Sequence, residues 1–390
     1  MRNKFKKILI DYDPYLLFAL ATLCLIGLVG IYSATYKGGI SPLFLKQGLY
    51  ILAGWFIILL LSRLNFRIVF DMAPAIYFLN LFLLVLVPIA GKTVYGAKRW
   101  IDLGLVSIQP SELFKFSLLV FSLYTLSHTK RLISKESLIL ILAFAIPSLF
   151  TLKQPDLGTT ITYGVILSLL LFLYGAKLKY FILSGLTFIL LSPVLWHFLK
   201  DYQKERILAF IDPYEDYHGS GYQLIQSMIA VGSGGFLGKG FLQGTQSHLL
   251  FLPEKHTDFI FSVIAEEWGF LGGFLILSTL LLISYRILFY AFDISHRIER
   301  LYLGTFAGLW LFQTSVNLLM TMGWAPVVGI PLPFVSYGGS SILTFPYRSI
   351  AHQIPLWRRA HRTFLSLSLF ALEEGLKKVS LWWLLHKKEE

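Results

Sequence analysis

The sequence is poor in charged residues and contains a single cysteine. Of its 390 residues, 14% are charged and 56% are hydrophobic, and the mean hydropathy is +0.67. The polar side chains are too few to cover the surface of a soluble globule of this size. The composition therefore predicts a polytopic membrane protein. Cys24 lies inside the first apolar segment and has no second cysteine to pair with, which excludes an internal disulfide and a cysteine-based metal cluster.

The sequence also lacks the local motifs of several enzyme classes. It has no His-Glu-x-x-His motif and no serine, histidine and aspartate in a supporting context, which leaves no basis for a protease. The glycine-rich stretch 232–240 does not have Walker spacing and follows no strand, so we interpret it as turns. His256 has no partner at metal-ligand spacing, which favours a hydrogen-bonding role.

Acidic residues are outnumbered by basic ones, 22 to 34, which gives a formal net charge of +12. The basic residues fall in small groups between apolar segments and form no continuous stripe. This distribution is typical of loop charges that orient a membrane protein, and it predicts no nucleic-acid partner.

Nine apolar segments are long enough, or nearly long enough, to cross a bilayer. The first follows a basic start and predicts an uncleaved signal anchor. The nine segments are residues 15–35, 43–62, 69–90, 112–127, 137–152, 159–176, 180–199, 258–292 and 301–323. We therefore predict a transmembrane domain over residues 1–345, with a large extracytoplasmic loop at about 200–257, in which 221–231 has helical spacing. Residues 346–390 predict an atypical basic and amphipathic tail.

If the chain changes side of the membrane after each span, every loop can be assigned to the inner or the outer face. With the basic N-terminus in the cytoplasm, most short basic loops fall inside, as the positive-inside rule expects. The polar, motif-like stretches then all emerge on the outer face. A transporter is expected to place polar residues near the bilayer midplane, so this clustering favours an enzyme that acts on a membrane-held substrate.

Asp258 is the leading candidate for chemistry. It precedes an apolar helix, at the level where water meets hydrocarbon, and a carboxylate there is costly unless it is paired or used. The alternative is a helix cap, with Thr257 or Asp258 at the N-cap. Glu266 and Glu267 follow about two turns later, roughly 12 Å deeper, and are expected to face the protein interior.

Four further charged residues lie in the outer stretches. Glu112 and Lys115 are three residues apart on one helix face, where they can form a structural ion pair or leave Lys115 to neutralise a phosphate. Arg99 and Arg206 can hold a pyrophosphate by bidentate contacts, or equally anchor lipid headgroups.

Gln-Pro-acid occurs twice, at 109–112 and 154–156. A proline at the start of a helix with a capping acid, Asp156 in the second case, explains both motifs structurally.

Several long motifs, in order along most of the chain, resemble the SEDS (shape, elongation, division, sporulation) family. They are Arg99-Trp100-Ile101, 109–115, 154–159, Gly221-Tyr222-Gln223 with Gln226-Ser227, Gly238-Lys239-Gly240, 253–267 and 329–341. The resemblance implies an all-α, ten-helix membrane bundle, although the tenth helix is anomalous here because the chain departs from the family pattern after Ser341.

The resemblance also implies a function. It implies a peptidoglycan glycosyltransferase in the bacterial cytoplasmic membrane, active on its extracytoplasmic face in cell elongation. The expected substrates are lipid II and the polyprenyl-linked glycan, and the expected partner is a class B penicillin-binding protein of the elongation machinery. Asp258 matches the family's essential acid, and Glu112 and Lys115 match an important pair. Supporting roles fall to Asp156, His256, Gln223 and Ser336.

The mechanism we predict has Asp258 as general base on a sugar hydroxyl of the acceptor, with inversion at the anomeric carbon. Arg99, Lys115 and Arg206 stabilise the leaving pyrophosphate. A divalent cation, Mg²⁺ or Mn²⁺, is left open as a cofactor. Two rivals also stay open: a lipid II flippase, and a non-catalytic scaffold for the penicillin-binding protein.

Overall fold

The structure is a computed structural model that describes residues 13–61, 66–94, 97–102, 104, 107–129, 135–215, 219–248, 252 and 255–338. The predicted basic start and the predicted tail 346–390 lie outside these residues. Pro253 and Glu254, which open the stretch before Asp258, lie outside them as well.

The described residues are mainly helical, with one small sheet between the fourth and fifth helices. In chain order the elements are α1 Pro14–Thr35, α2 Pro42–Leu61, α3 Phe66–Asp71, α4 Ala73–Ala90, β1 Lys92–Val94, β2 Ala97–Asp102, β3 Ser107–Ile108, α5 Pro110–His128, α6 Lys135–Lys153, α7 Leu157–Tyr174, α8 Leu178–Phe198, α9 Asp201–Ile211, α10 Ser220–Ser233, α11 Thr245–His248, α12 Ile260–Asp293 and α13 Arg297–Thr321.

Each of the nine predicted apolar segments is largely helical in the described part of the chain. Six helices, α1, α2, α4, α7, α12 and α13, are long and apolar enough to cross a membrane by themselves. Shorter apolar helical stretches lie at Leu138–Lys153 and Leu178–Val194. The chain is therefore a multi-pass membrane protein.

Helices α1 and α12 pack antiparallel along much of their length. At one end, the Asp13 carboxylate caps α1 and pairs with Arg286 near the end of α12, at 2.6 Å. At the other end, the Ser33 hydroxyl donates to the Glu267 carboxylate. These two contacts place the end of α1 and the start of α12 at the same end of the bundle, as the alternation of sides predicts.

Helix α12 is broken at Gly269, whose φ of 62° and ψ of −153° are not helical. The glycine-rich stretch 232–240 binds this break through its backbone: the amides of Lys239 and Gly240 each donate to a carbonyl of α12 at 3.0 Å. Glu266 and Glu267 are buried beside the break, which confirms that they face the interior. The predicted turns at 232–240 are also confirmed, and they satisfy backbone groups that the break leaves open.

Two features differ from the sequence-based expectations. The strands β1, β2 and β3 form an antiparallel sheet, so the fold is not purely α-helical. The predicted large loop at 200–257 contains α9, α10 and α11, and α10 covers the stretch in which helical spacing was recognised. The strands are too short for a period of two to be visible in the sequence.

Candidate functional site

The polar stretches that were predicted to share one face meet at one end of the bundle. Arg99, on β2, donates from Nε to the Gln154 carbonyl at 2.8 Å and from Nη2 to the Pro155 carbonyl. Gln109 donates to the Asp156 carboxylate at 3.0 Å. Three segments that are far apart in sequence are thereby joined by hydrogen bonds.

Asp156 is buried and is the N-cap of α7. Its carboxylate accepts from the Thr159 amide at 3.1 Å and the Thr159 hydroxyl at 2.9 Å, and from the Ser111 hydroxyl at 3.3 Å. The predicted capping role of Asp156 is confirmed. At the first Gln-Pro-acid motif the proline begins α5 and the acid, Glu112, lies in the first turn, where it pairs with Lys115, while the N-cap Gln109 makes no side-chain capping bond.

Asp258 lies in the turn that leads into α12 and is partly exposed. The helix begins at Ile260, and its N-cap position is Phe259 rather than Thr257 or Asp258. The Asp258 carbonyl accepts from the Asn317 side chain at 3.0 Å, and the same amide group donates to the Ile330 carbonyl at 2.8 Å. Asn317 therefore ties the turn that carries Asp258 to the segment after α13.

Asp258 and Arg206 face the same small space beside Gly329. A Cβ built on Gly329 would lie 3.5 Å from Asp258 Oδ2 and 3.6 Å from Arg206 Nη1. Gly329 has a φ of +73°, in the left-handed region that favours glycine. A carboxylate and a guanidinium thus both approach the point where a side chain of residue 329 would begin.

The loop that Arg99 holds lies next to this space. A Cβ on Gly158 would come within 3.2 Å of the Gly329 carbonyl oxygen. The 154–158 and 328–330 segments are therefore in close backbone contact, and the Arg99, Arg206 and Asp258 regions form one continuous site.

Glu112 and Lys115 form a buried ion pair in the first turn of α5, with 2.7 Å between Oε2 and Nζ. Both side chains are less than 10% exposed. The predicted pairing is confirmed. A buried charge that lost its partner would carry a large desolvation cost, so the pairing stabilises both side chains inside the protein.

The segment 331–337 enters the bundle interior, where its backbone polar groups need partners. Ser336 is fully buried, and its hydroxyl accepts from the Leu332 amide at 2.8 Å. Gln47, on α2, donates to the Ser336 carbonyl at 3.4 Å and accepts from the Gly338 amide at 3.3 Å. Ser336 thus supports the shape of this segment.

His256 contacts the same segment. Its carbonyl accepts from the Tyr337 amide at 2.9 Å, and the two rings meet edge to face with centroids 5.7 Å apart. Burial raises the pKa of the Tyr337 hydroxyl to about 12, so this phenol is neutral at physiological pH. Burial lowers the pKa of Lys255, and the nearby positive charge of Lys37 lowers it further.

Three polar residues of this region were not singled out from the sequence: Gln47, Asn317 and Tyr202. Gln47 and Asn317 are lone polar side chains inside apolar segments, which is a signal of function or of packing. Gln223, which was predicted, lies half-buried on the first turn of α10, and its side chain makes no hydrogen bond to another described residue.

Metal ligands are sparse in the described part of the chain. No group of three or more histidine, cysteine, aspartate or glutamate residues there could hold a metal ion.

Fold and site together define a multi-pass membrane protein that gathers acidic and basic side chains at one end of a helical bundle. Residues 14–350 match the FtsW/RodA/SpoVE family of cell cycle proteins. The chain belongs to this family, which confirms the resemblance seen in its motifs.

Relatives and solved structures agree with this placement. The chain is 37% identical to the peptidoglycan glycosyltransferase MrdB of Escherichia coli K12, over 92% of this chain and 96% of that protein. It is 36% identical to a probable peptidoglycan glycosyltransferase FtsW of Geobacter sulfurreducens, over 85% and 91% of the two chains.

Among solved structures, a chain of a peptidoglycan synthase complex that coordinates polymerization and crosslinking has a TM-score of 0.75 and 34% identity, covering 87% of this chain and 96% of its own. The rod shape determining protein RodA of Thermus thermophilus has a TM-score of 0.66 and 28% identity, covering 89% and 97%.

Proposed function

We propose that the protein is a peptidoglycan glycosyltransferase that polymerises lipid II at the outer face of the bacterial cytoplasmic membrane during cell elongation. The observation that carries the proposal is the approach of Asp258 and Arg206 to the same point beside Gly329, at the end of the bundle where the family motifs meet. The displacement of a pyrophosphate requires a base that accepts a proton from the attacking hydroxyl and a cation that stabilises the leaving group.

In the proposed reaction, Asp258 accepts the proton of a sugar hydroxyl on the acceptor lipid II. The hydroxyl oxygen forms a bond to the anomeric carbon of the growing glycan as the bond from that carbon to the pyrophosphate oxygen breaks. The polyprenyl pyrophosphate leaves with the electron pair, and the anomeric carbon is inverted.

The leaving pyrophosphate gains negative charge, which the basic groups of the site stabilise. Arg206 is the best placed, since its Nη1 faces the space beside Asp258. Arg99 commits one edge of its guanidinium to two carbonyls and contributes its charge. Lys115 contributes positive charge from its ion pair with Glu112.

The proposal extends to the fold and the partner. We expect the ten-helix bundle of the family. We also expect a class B penicillin-binding protein to supply the crosslinking activity. The similarity to a chain from a complex that couples polymerization and crosslinking supports this partner.

The test is glycan synthesis by the purified protein in proteoliposomes supplied with lipid II, with and without the penicillin-binding protein. An enzyme produces polymer, and a flippase moves lipid II between leaflets without joining it. A scaffold yields polymer only when another polymerase is present. The absence of polymer under every condition would reject the proposal.

The outer placement of the site is tested separately by cysteine labelling. In a background with Cys24→Ala, single cysteines at Tyr214 and Phe292 report on opposite ends of the bundle, since both positions are exposed. A membrane-impermeant maleimide added outside is expected to label position 214 and not position 292. The reverse pattern would place the site in the cytoplasm and contradict the proposal.

A further inference from the structure

The hydroxyl of Tyr202 is a buried polar group of the site that the mechanism above does not use. It lies in the first turn of α9 and has no hydrogen-bond partner among the described residues. The side chain of Gln203 lies beside the phenol oxygen and lowers the pKa of Tyr202, and no described residue accepts the hydroxyl proton. Buried polar groups normally have a partner, so an unsatisfied hydroxyl in a site indicates a missing ligand atom.

The position of Tyr202 identifies which ligand is missing. Tyr202 and Arg206 are four residues apart on α9 and so share one face of this helix. Arg206 in turn faces Asp258 across Gly329. The hydroxyl lies within electrostatic range of the Arg99 and Arg206 guanidinium groups and of the Asp156 carboxylate. That carboxylate already accepts hydrogen bonds from Gln109, Ser111 and Thr159.

Neither guanidinium can accept the tyrosine proton, because arginine has only donors. Burial raises the pKa of Tyr202, the two arginines oppose this rise without cancelling it, and the phenol stays protonated at neutral pH. Tyr202 and the two arginines therefore bring hydrogen-bond donors to one region of the site. The chemical partner of such a set is an oxyanion, and a phosphate oxygen is the strongest acceptor that a lipid-linked substrate carries.

We propose that Tyr202 is a substrate-binding residue that donates a hydrogen bond to the pyrophosphate of the polyprenyl-linked donor, alongside Arg206 and Arg99. This inference rests on the proposed function and adds a residue to it. A hydrogen bond to a charged group that strengthens as the leaving group gains charge acts mainly on kcat, and its loss lowers kcat about ten- to a hundredfold.

The experiment replaces only the hydroxyl, with Tyr202→Phe, and uses Tyr214→Phe as the matched control, since Tyr214 is exposed beyond the end of α9. Polymerisation of lipid II and inhibition by added undecaprenyl pyrophosphate are measured for both variants. We expect Tyr202→Phe to lose kcat by at least tenfold and to need more undecaprenyl pyrophosphate for inhibition. Its melting temperature is expected to be equal to or above that of the wild type, because an unsatisfied buried hydroxyl has been removed.

Wild-type kcat and wild-type inhibition in Tyr202→Phe would overturn the inference, and so would a loss of kcat matched by a fall in melting temperature. Repeating the assay in vesicles with and without phosphatidylglycerol separates the two sources of phosphate. A loss of kcat in both supports the pyrophosphate, whereas a loss confined to phosphatidylglycerol vesicles assigns the hydroxyl to a lipid headgroup and overturns the inference. Absence of polymer from the wild-type protein under every condition would instead reject the proposed function itself.

Discussion

Gly329 offers a sharp test of the space between the base and the cation. Gly329→Ala would place a methyl group 3.5 Å from Asp258 Oδ2 and 3.6 Å from Arg206 Nη1, which is ordinary contact distance and needs no shift of either side chain. The residue has a φ of +73°, and a side chain in that region costs about 1–2 kcal/mol of stability. The free protein is therefore expected to fold, with modestly lower stability.

Substrate atoms, in contrast, cannot occupy the volume of the new methyl group. A displacement of about 1 Å from the reactive geometry lowers a rate about a hundredfold, so we expect a loss of this size in polymerisation of lipid II. The matched control is Gly38→Ala, because Gly38 has a φ of +87° and nothing within 4 Å of its added Cβ. It carries the same backbone strain without touching the site.

Both variants are assayed for melting temperature and for polymer formed from purified lipid II. The expected result is a similar loss of stability in the two, with near-normal activity in Gly38→Ala alone. Equal activity in two equally stable variants would show that no substrate group lies beside Gly329 and would refute this geometry.

Three other predictions follow from the structure. Lys115→Ala and Glu112→Ala are each expected to lower the free energy of unfolding by about 3–5 kcal/mol, because each removes the ion-pair partner of a buried charge. The double variant should recover stability but not polymerisation of lipid II. Wild-type activity in the double variant would make the pair purely structural. Asn317→Ala removes two hydrogen bonds to carbonyl groups and is expected to cost about 1–3 kcal/mol in thermal unfolding, together with a fall in kcat; an unchanged kcat would contradict its role in holding the base. In Gly234→Ala the new Cβ overlaps a carbonyl oxygen of α12, so we expect little monodisperse protein in detergent. Gly232→Ala is the control, because its Cβ meets open space, and it should purify normally. Equal yields of the two variants would disprove the tight packing of the stretch 232–240 against α12.

The sequence predicts the helices and the charge pairs well because both depend on local patterns. Apolar length defines the spans, and a spacing of three residues places Glu112 and Lys115 on one helix face, where they do pair. The alternation of sides correctly brings the outer motifs to one end of the bundle, since it depends only on the number of spans. The acid that follows a proline at Asp156 was predicted to cap the next helix, and it is the N-cap of α7.

The rest of the site depends on contacts between distant segments, which local patterns do not encode. Gln47 binds backbone groups almost three hundred residues further along the chain, and Asn317 joins the turn before α12 to the segment after α13. The break at Gly269 is stabilised by the stretch 232–240 rather than by its own helix. In the sequence alone, Tyr202 cannot be distinguished from any other aromatic residue at a membrane surface. Only the fold brings it into the region of two arginines.

The central claim is that the Asp258 carboxylate performs the chemistry. The most direct measurement is polymer formation from lipid II by purified Asp258→Asn in proteoliposomes, beside Asp293→Asn as a matched control. Asp293 is an exposed aspartate at the opposite end of α12. The account predicts that both variants insert and melt like the wild type, that Asp293→Asn polymerises normally, and that Asp258→Asn makes no glycan. Glycan made by Asp258→Asn at the wild-type rate would contradict it.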